Sequence, residues 1–230
     1  MADKSYETDV ITTSAGDLAM TFLGHGTLMF TFNEKVIHID PFSRVADYAE
    51  LPEADLVLIT HEHQDHLDLA ALAEILTEDT VVILTELCAD RVADSLGDFV
   101  VLQAGDVYTV AGLEVEALPA YNILHTRPGG QPFHPKGAGN GYVVTFGDTK
   151  VYVAGDTEDI PEMRALTGID VAFLPMNLPY TMTPEQVADA ARAFKPKVLY
   201  PYHFGDTDTS KLVELLRDEP GIEVRVRDLA

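Results

Sequence analysis

Thr60-His61-Glu62-His63-Gln64-Asp65-His66 puts three imidazoles and two carboxylates within six positions, immediately after the apolar run Asp55 to Thr60. A continuous apolar run of that length reads as a strand covered on both faces. The chain therefore leaves a buried strand and at once presents a set of metal-ligand side chains. His61 and His63 are two apart and point to the same side in extended chain. Asp65 and His66 are adjacent, so they diverge and can serve a different ion. One loop can then supply two metals. Imidazole with carboxylate suits zinc, iron or manganese, and the lack of a neighbouring thiolate argues against a structural zinc finger.

Outward from this stretch, residues 67–76 show helical spacing through Leu69, Leu72 and Leu76, followed by a strand over 80–84 and a helix over 86–96. Upstream, residues 18–23 and 28–32 read as strands around the turn Gly24-His25-Gly26-Thr27, and 36–40 as a third strand stopped by Pro41. Downstream, 107–110 and 113–118 flank Ala111-Gly112, and 141–146 with 150–154 form a hairpin across Gly147-Asp148. Between them runs a long loop, 120–140, of a length that is functional when it sits inside a compact domain. Further strands are expected at 169–174, 198–201 and 223–226, with helices at 184–194 and 210–216; Thr183 is the expected N-cap of the first of these. Strands in antiparallel-looking runs, punctuated by helices in both halves, predict two sheets packed together with helices outside, within one domain spanning 1–230.

Two more strand ends fit the cluster. Tyr152-Val153-Ala154-Gly155-Asp156-Thr157 closes with a carboxylate, and Leu199-Tyr200-Pro201-Tyr202-His203-Phe204 with an imidazole. Alone, Asp156 reads as a helix cap and His203 as a loop residue; their weight comes from joining the first cluster. Asp40 ends a third strand, where it either holds a ligand imidazole in the right tautomer or caps the next turn.

Asp40, the HEHQDH run, Asp156 in AGDT and His203 in PYHF together resemble the metallo-β-lactamase superfamily, in order and spacing, from about residue 20 to 205. The resemblance implies an α+β fold, the αβ/βα four-layer sandwich, with two mixed sheets, helices outside and a two-metal site at one edge. It implies that His61 and His63 bind one metal, that Asp65, His66 and His203 bind the other, and that Asp156 bridges them. Leu23-Gly24-His25-Gly26-Thr27, the compact size and the PYHF ending look most like the small metal-dependent hydrolase branch, which includes the ascorbate-6-phosphate lactonase. By the same analogy His25 lies close to the site, contacting substrate or stabilising its turn. The chain departs from the family pattern at one place. Asn122 stands where a third histidine for the first metal is expected; its amide oxygen is one candidate ligand, His125 and His134 are others, and His134 is the preferred substitute.

Composition bounds what such a site could serve. Fifteen Lys and Arg face 38 Asp and Glu, for a formal net charge of -23. Nucleic acid and anionic membranes both need clustered cations, so neither is an expected partner. The opening MADKSYETDV lacks a basic segment followed by an apolar run, which predicts a cytoplasmic protein. The single cysteine, Cys88, reads as a small buried hydrophobe. The expected activity is hydrolysis of a small ester-like molecule such as a lactone, with a phosphodiester as the alternative and a metal- or ligand-binding module with little turnover as a third reading. Two divalent ions are expected, with zinc as the default and manganese or iron fitting the same ligands; their action would be to bring the pKa of a bound water toward about 7, with Asp65 orienting it. Lys136 in the long loop is the candidate for holding an anionic group of the substrate, with Arg127 as a weaker one. A homo-oligomer is compatible with the apolar stretch LPMNLPYTM.

Overall fold

The computed structural model describes residues 5–230; residues 1–4, at the head of the stretch read for a leader, lie outside it. The chain forms two seven-stranded sheets, each built by the same plan. In the first, β1 (Thr8–Thr13), β2 (Gly16–Gly24), β3 (Thr27–Phe32) and β4 (Lys35–Ile39) run as an antiparallel meander. Then β5 (Leu56–Leu58), β6 (Val81–Leu84) and β7 (Val100–Val101) are added in parallel, with α1 (Leu69–Ile75) and α2 (Glu86–Val92) between them.

The second sheet repeats the pattern. β8 (Val107–Val110), β9 (Leu113–Ala120), β10 (Gly139–Phe146) and β11 (Thr149–Val153) form the meander. β12 (Val171–Pro175), β13 (Val198–Tyr202) and β14 (Glu223–Val224) follow in parallel, connected through α3 (Pro161–Arg164), α4 (Pro184–Phe194) and α5 (Thr209–Leu216). The antiparallel look of the sequence thus holds for four strands of each sheet and fails for three. Parallel neighbours need the intervening crossovers, and the helices supply them.

Alternation along the strands sorts side chains into layers. Val151, Val153, Phe173, Tyr200 and Tyr202 face inward, where they meet Phe30, Ile37, Ile39 and Leu58 of the other sheet. Tyr152, Ala172, Leu174 and Leu199, from the same strands, face outward under Val187 and Ala191 of α4 and Leu212 of α5. Val57, Ile59 and Val82 do the same under Ala71, Leu72 and Cys88 of α1 and α2. The result is the helix–sheet–sheet–helix sandwich. Helix α4 starts at Thr183 as its sequence predicts: the Thr183 hydroxyl accepts from the Gln186 amide while the Gln186 side chain accepts from the Thr183 amide. β1 was not expected from the sequence. Its sequence, TDVITT, carries little apolar alternation because it is an edge strand with one of its six residues buried.

The two sheets are tied together where the site will lie. The Asn140 amide of β10 donates to the Thr60 carbonyl at 2.8 Å, and the Tyr142 hydroxyl donates to the Ile59 carbonyl at 2.8 Å. These bonds cross from the second sheet to the end of the strand that precedes His61.

Candidate metal centre

The C-terminal ends of the central strands from both sheets converge on one edge. β5 delivers His61, His63, Asp65 and His66; β11 leads to Asp156; β13 leads to His203. His61 Nε2 lies 3.0 Å from His63 Nδ1, and His134 Nε2 lies 3.2 Å from Asp156 Oδ2. The ligand atoms of His61, His63, His134 and Asp156 all fall within 4.8 Å of one another, and the same holds for His66, Asp156 and His203. In the second set the facing Nε2 atoms of His66 and His203 are 3.1 Å apart, with Asp156 Oδ1 3.7 and 3.6 Å from them. Asp65 Oδ2 sits 3.5 Å from His203 Nε2 and 3.7 Å from His66 Nε2. Asp156 is the one residue common to both sets.

A layer of hydrogen bonds behind these side chains decides which imidazole nitrogen faces the centre. Asp40 is fully buried; it accepts from the Thr60 amide (2.7 Å), the Thr60 hydroxyl (2.6 Å) and His66 Nδ1 (2.7 Å). The Thr60 oxygen, its own proton directed to Asp40, is 3.0 Å from His61 Nδ1 and accepts from it. One carboxylate therefore orients an imidazole in each set, leaving both Nε2 atoms to face inward. Of the two sequence readings of Asp40, the geometry matches the first. His203 Nδ1 meets the side-chain amide of Asn177 at 3.2 Å. His25, Asp40 and His203 have φ of 55°, 46° and 47°, a conformation L-residues seldom adopt, and all three lie at this site.

His134 enters the first set, and Asn122 does not. The Asn122 Oδ1 accepts from both the amide and Nδ1 of His134, each at 2.7 Å, which turns His134 Nε2 toward Asp156. Its Nδ2 donates to Glu158 and to the Tyr180 carbonyl. The amide has no oxygen left for a cation, so Asn122 orients His134 and is not itself placed to ligate. Glu158 in turn anchors the loop: its buried carboxylate accepts from the amides of Ile123, Leu124 and His125 as well as from the His125 ring. His125 is thereby committed away from the cluster.

Several other residues land where the sequence did not place them. No helix begins at Asp156; α3 starts at Pro161. Lys136 faces away from the site, pairing with Glu162 at 2.7 Å and reaching the Tyr121 hydroxyl at 3.3 Å. The cationic side chain from the long loop that does line the cavity is Arg127. His25 Nε2 meets Asp65 Oδ2 at 3.0 Å, and its ring packs on His203 with centroids 3.8 Å apart. Thr60, Glu158 and Asn177 were not singled out from the sequence. Their roles depend on partners up to 36 residues away, which no local spacing signals.

Electrostatics favours the protonation states that a cation needs at His61 and Asp156, whereas at His66 the carboxylates of Asp156 and Asp40 overcome burial and raise the pKa to about 9, so a cation there must displace a proton. Burial, reinforced by the neighbouring His66, holds the His61 imidazole well below its usual pKa, so it stays neutral. Burial opposes ionisation of Asp156, yet His203 and His66 outweigh it and keep the carboxyl well below the ordinary range. Asp156 Oδ1 is nevertheless buried with no hydrogen-bond partner. Such an oxygen costs free energy unless something positive meets it. Paired imidazole nitrogens face one another across about 3 Å in each set, and Asp156 turns Oδ2 to the first and its orphaned Oδ1 to the second, an arrangement that fits a divalent cation in each. Gly26 leaves the room: a Cβ there would come within 3.0 Å of His66 and 3.1 Å of His203.

A cavity of about 470 Å³ opens over this cluster. Its walls include Gln64, Arg127, Phe133, Asn177 and Tyr180. That volume suits a small molecule. Among the described residues, no helix is long and apolar enough to cross a membrane.

Comparison with known proteins places these features in a family. Residues 19–203 match the model of a β-lactamase superfamily domain. A UPF0173 metal-dependent hydrolase of Pelotomaculum thermopropionicum is 30% identical over 81% of this chain and 84% of its own length. Another, from Thermus thermophilus, is 32% identical over 80% and 82%. A crystal structure from Parabacteroides distasonis, described as that of a metal-dependent hydrolase, superposes with a TM-score of 0.92 at 46% identity, covering 98% of this chain and all of that one.

Proposed function

This chain belongs to the metallo-β-lactamase superfamily and is a metal-dependent hydrolase, and from that premise we propose that it holds two divalent cations and cleaves a small ester-like molecule, a lactone before a phosphodiester. The observation that carries the two-cation reading is Asp156, shared by both ligand sets with one oxygen turned to each. His61, His63 and His134 would complete the first set, and His66, His203 and Asp65 the second. Zinc is the default for sites this rich in imidazole, and iron or manganese can use the same donors. A cation in such a site supplies acidity to a water ligand, bringing its pKa toward about 7, and polarises the oxygen of the scissile group.

The chain's own residues handle the remaining tasks. Asp65 is the carboxylate of the cluster with access to the cavity, its side chain 36% exposed, and His25 fixes its orientation. That placement lets it orient the attacking water as a hydrogen-bond acceptor, its carboxyl held, against burial, well below the ordinary range by His203 and His25. Gln64, Asn177 and the rings of Phe133 and Tyr180 surround the space for the substrate body. The lactone preference rests on the branch of the superfamily that the sequence resembles and on a cavity sized for a small molecule. The strongly acidic chain supports the same choice against nucleic-acid phosphodiesters.

Elemental analysis of the purified protein beside His66→Ala tests this reading. Two cations per chain, falling toward one in the variant, are expected. Turnover of a lactone panel should vanish in chelator and return with added metal. No bound metal after reconstitution would overturn the proposal, and phosphodiester turnover with inert lactones would reverse the substrate order.

A further inference from the structure

We propose that Arg127 is the specificity residue of this cavity, and that the substrate carries an oxyanion, a carboxylate or a phosphate, on an apolar body. The loop after Glu158's anchor point folds into a small flap. The Arg127 amide donates to the Gln131 carbonyl at 2.7 Å, the Gly130 amide donates back to the Arg127 carbonyl at 3.0 Å, and Thr126 bridges Pro132. Gly129 and Gly130, at φ of 111° and 85°, make the turn. The flap is held at one end by the Glu158 network and at the other by His134, a member of the first ligand set. Arg127 is therefore tied to the metal centre through seven residues of ordered chain.

Its guanidinium has little else to do. Arg127 is the only Lys or Arg among the described residues that lines the cavity, and it makes no ion pair among them. Its one polar contact is a long bond of 3.4 Å to the Phe133 carbonyl, and the group lies 5.2 Å from the centre of the Phe133 ring. Phe133 is braced edge-on by Tyr180, with centroids 5.0 Å apart. Stacking on an aromatic fixes the guanidinium plane while leaving its N–H fork free, the arrangement that receives an oxyanion in two parallel hydrogen bonds. Lys136 on the same loop is the contrast, spent on Glu162. In a chain of net charge -23, an unpaired arginine at the cavity wall is the one protein cation that can meet an anionic group standing off the metal centre. Phe133 and Tyr180 supply an apolar wall next to it.

This rests on the hydrolase reading for the bond that is cut, but the anion preference is a matter of binding and can be measured without turnover. The probes are N-phenylsuccinamate, an anionic amide, and acetanilide, its neutral partner. Both are titrated into the zinc-loaded protein and into its Arg127→Gln and Arg127→Lys variants by calorimetry or ligand-observed NMR. The wild type should hold the anion about tenfold or more tighter than the neutral amide. Arg127→Gln should abolish that difference, and Arg127→Lys should keep part of it. Equal binding or no binding of the two probes by the wild type, or a preference that survives in Arg127→Gln, would overturn the proposal. A phosphonate in place of the carboxylate separates the two oxyanion sources by which binds tighter. The matching nitrophenyl esters, run in parallel, report separately on the hydrolase reading: failure to cleave either one tells against hydrolysis and leaves the anion result standing.

Discussion

Asp40 and Asp156 follow corresponding strands, the fourth of each sheet, and both are buried, yet they do opposite jobs. Asp40 has its oxygens occupied by Thr60 and His66. Asp156 keeps Oδ1 without any hydrogen-bond partner. The first half of the molecule spends its strand-end carboxylate on orientation, and the second half spends the equivalent one on reaching both ligand sets. What distinguishes a ligand from its support here is therefore neither residue type, nor burial, nor place in the fold. It is an oxygen that the protein declines to satisfy.

Replacing each carboxylate by its amide is the most direct way to break this contrast. Asp156→Asn should strip cations from both sets and lower turnover by more than about a hundredfold. In chelator it should also lose stability, because the depressed pKa of Asp156 means that the folded protein favours the ionised carboxyl. Asp40→Asn should act on the cations less directly, through the Thr60 and His66 bonds. It should weaken cation binding by about 10–100-fold, and should cost roughly 1–3 kcal/mol of stability in the metal-free protein. Elemental analysis and denaturant melts in chelator read both quantities. Similar cation loss in the two variants would erase the distinction.

A smaller effect is expected where the support is further from the charge. Asn122→Ala frees the His134 ring to rotate and leaves His66 and His203 untouched. The first cation should bind about 10–100-fold more weakly and the second should keep its affinity. Competition against a graded chelator resolves the two steps. Parallel loss of both cations would mean that the sets do not act separately.

These roles differ in how far the sequence reveals them. HEHQDH, Asp156 and His203 stand at the ends of apolar runs, and a strand end is a local pattern. His134 sits in a long loop with no periodicity; its rigid-looking segment made it the preferred substitute, but no spacing could show that Asn122 is the residue that orients it. The relation between Asn122 and His134 depends on Glu158, which gathers three consecutive amides of the loop and is invisible to spacing. Lys136 was preferred to Arg127 from the sequence, although both are cations on that loop. Only the 126–132 flap determines that one faces the cavity and the other faces Glu162. The same limit applies to the fold. The strand runs of the meanders, β1 apart, and the buried runs at 55–60 and 198–201 were legible from hydrophobicity. The parallel pairing was not, because register between strands separated by a helix is set by packing.

His38 and Tyr152 sharpen the comparison in the other direction. Each is the fourth residue of its five-residue strand, β4 and β11, and each buries an unpartnered polar atom, Nδ1 in one and the hydroxyl in the other. Neither joins the ligand sets, because the strand alternation turns both outward: His38 packs against Tyr48, with ring centroids 5.9 Å apart, and Tyr152 against Phe194 under α4. An orphaned atom marks a ligand only where other donors converge on it. The cost of the His38 orphan should be visible as pH dependence. Burial pushes its pKa down to about 4, partly countered by the bond from Nε2 to the Pro52 carbonyl. The unfolded chain takes up a proton near 6.5 while the folded one refuses it until about 4, so stability is complete above 6.5 and falls as pH drops between those values. The loss from this one ring is on the order of 3 kcal/mol. His38→Gln retains a donor toward Pro52 without a titrating ring. Measured in chelator, so that cation loss does not enter, the variant should gain on the wild type steadily as pH is lowered from 6.5 to 4. A difference between the two that stays flat across that range would show that His38 is already charged, or already satisfied, in the folded protein.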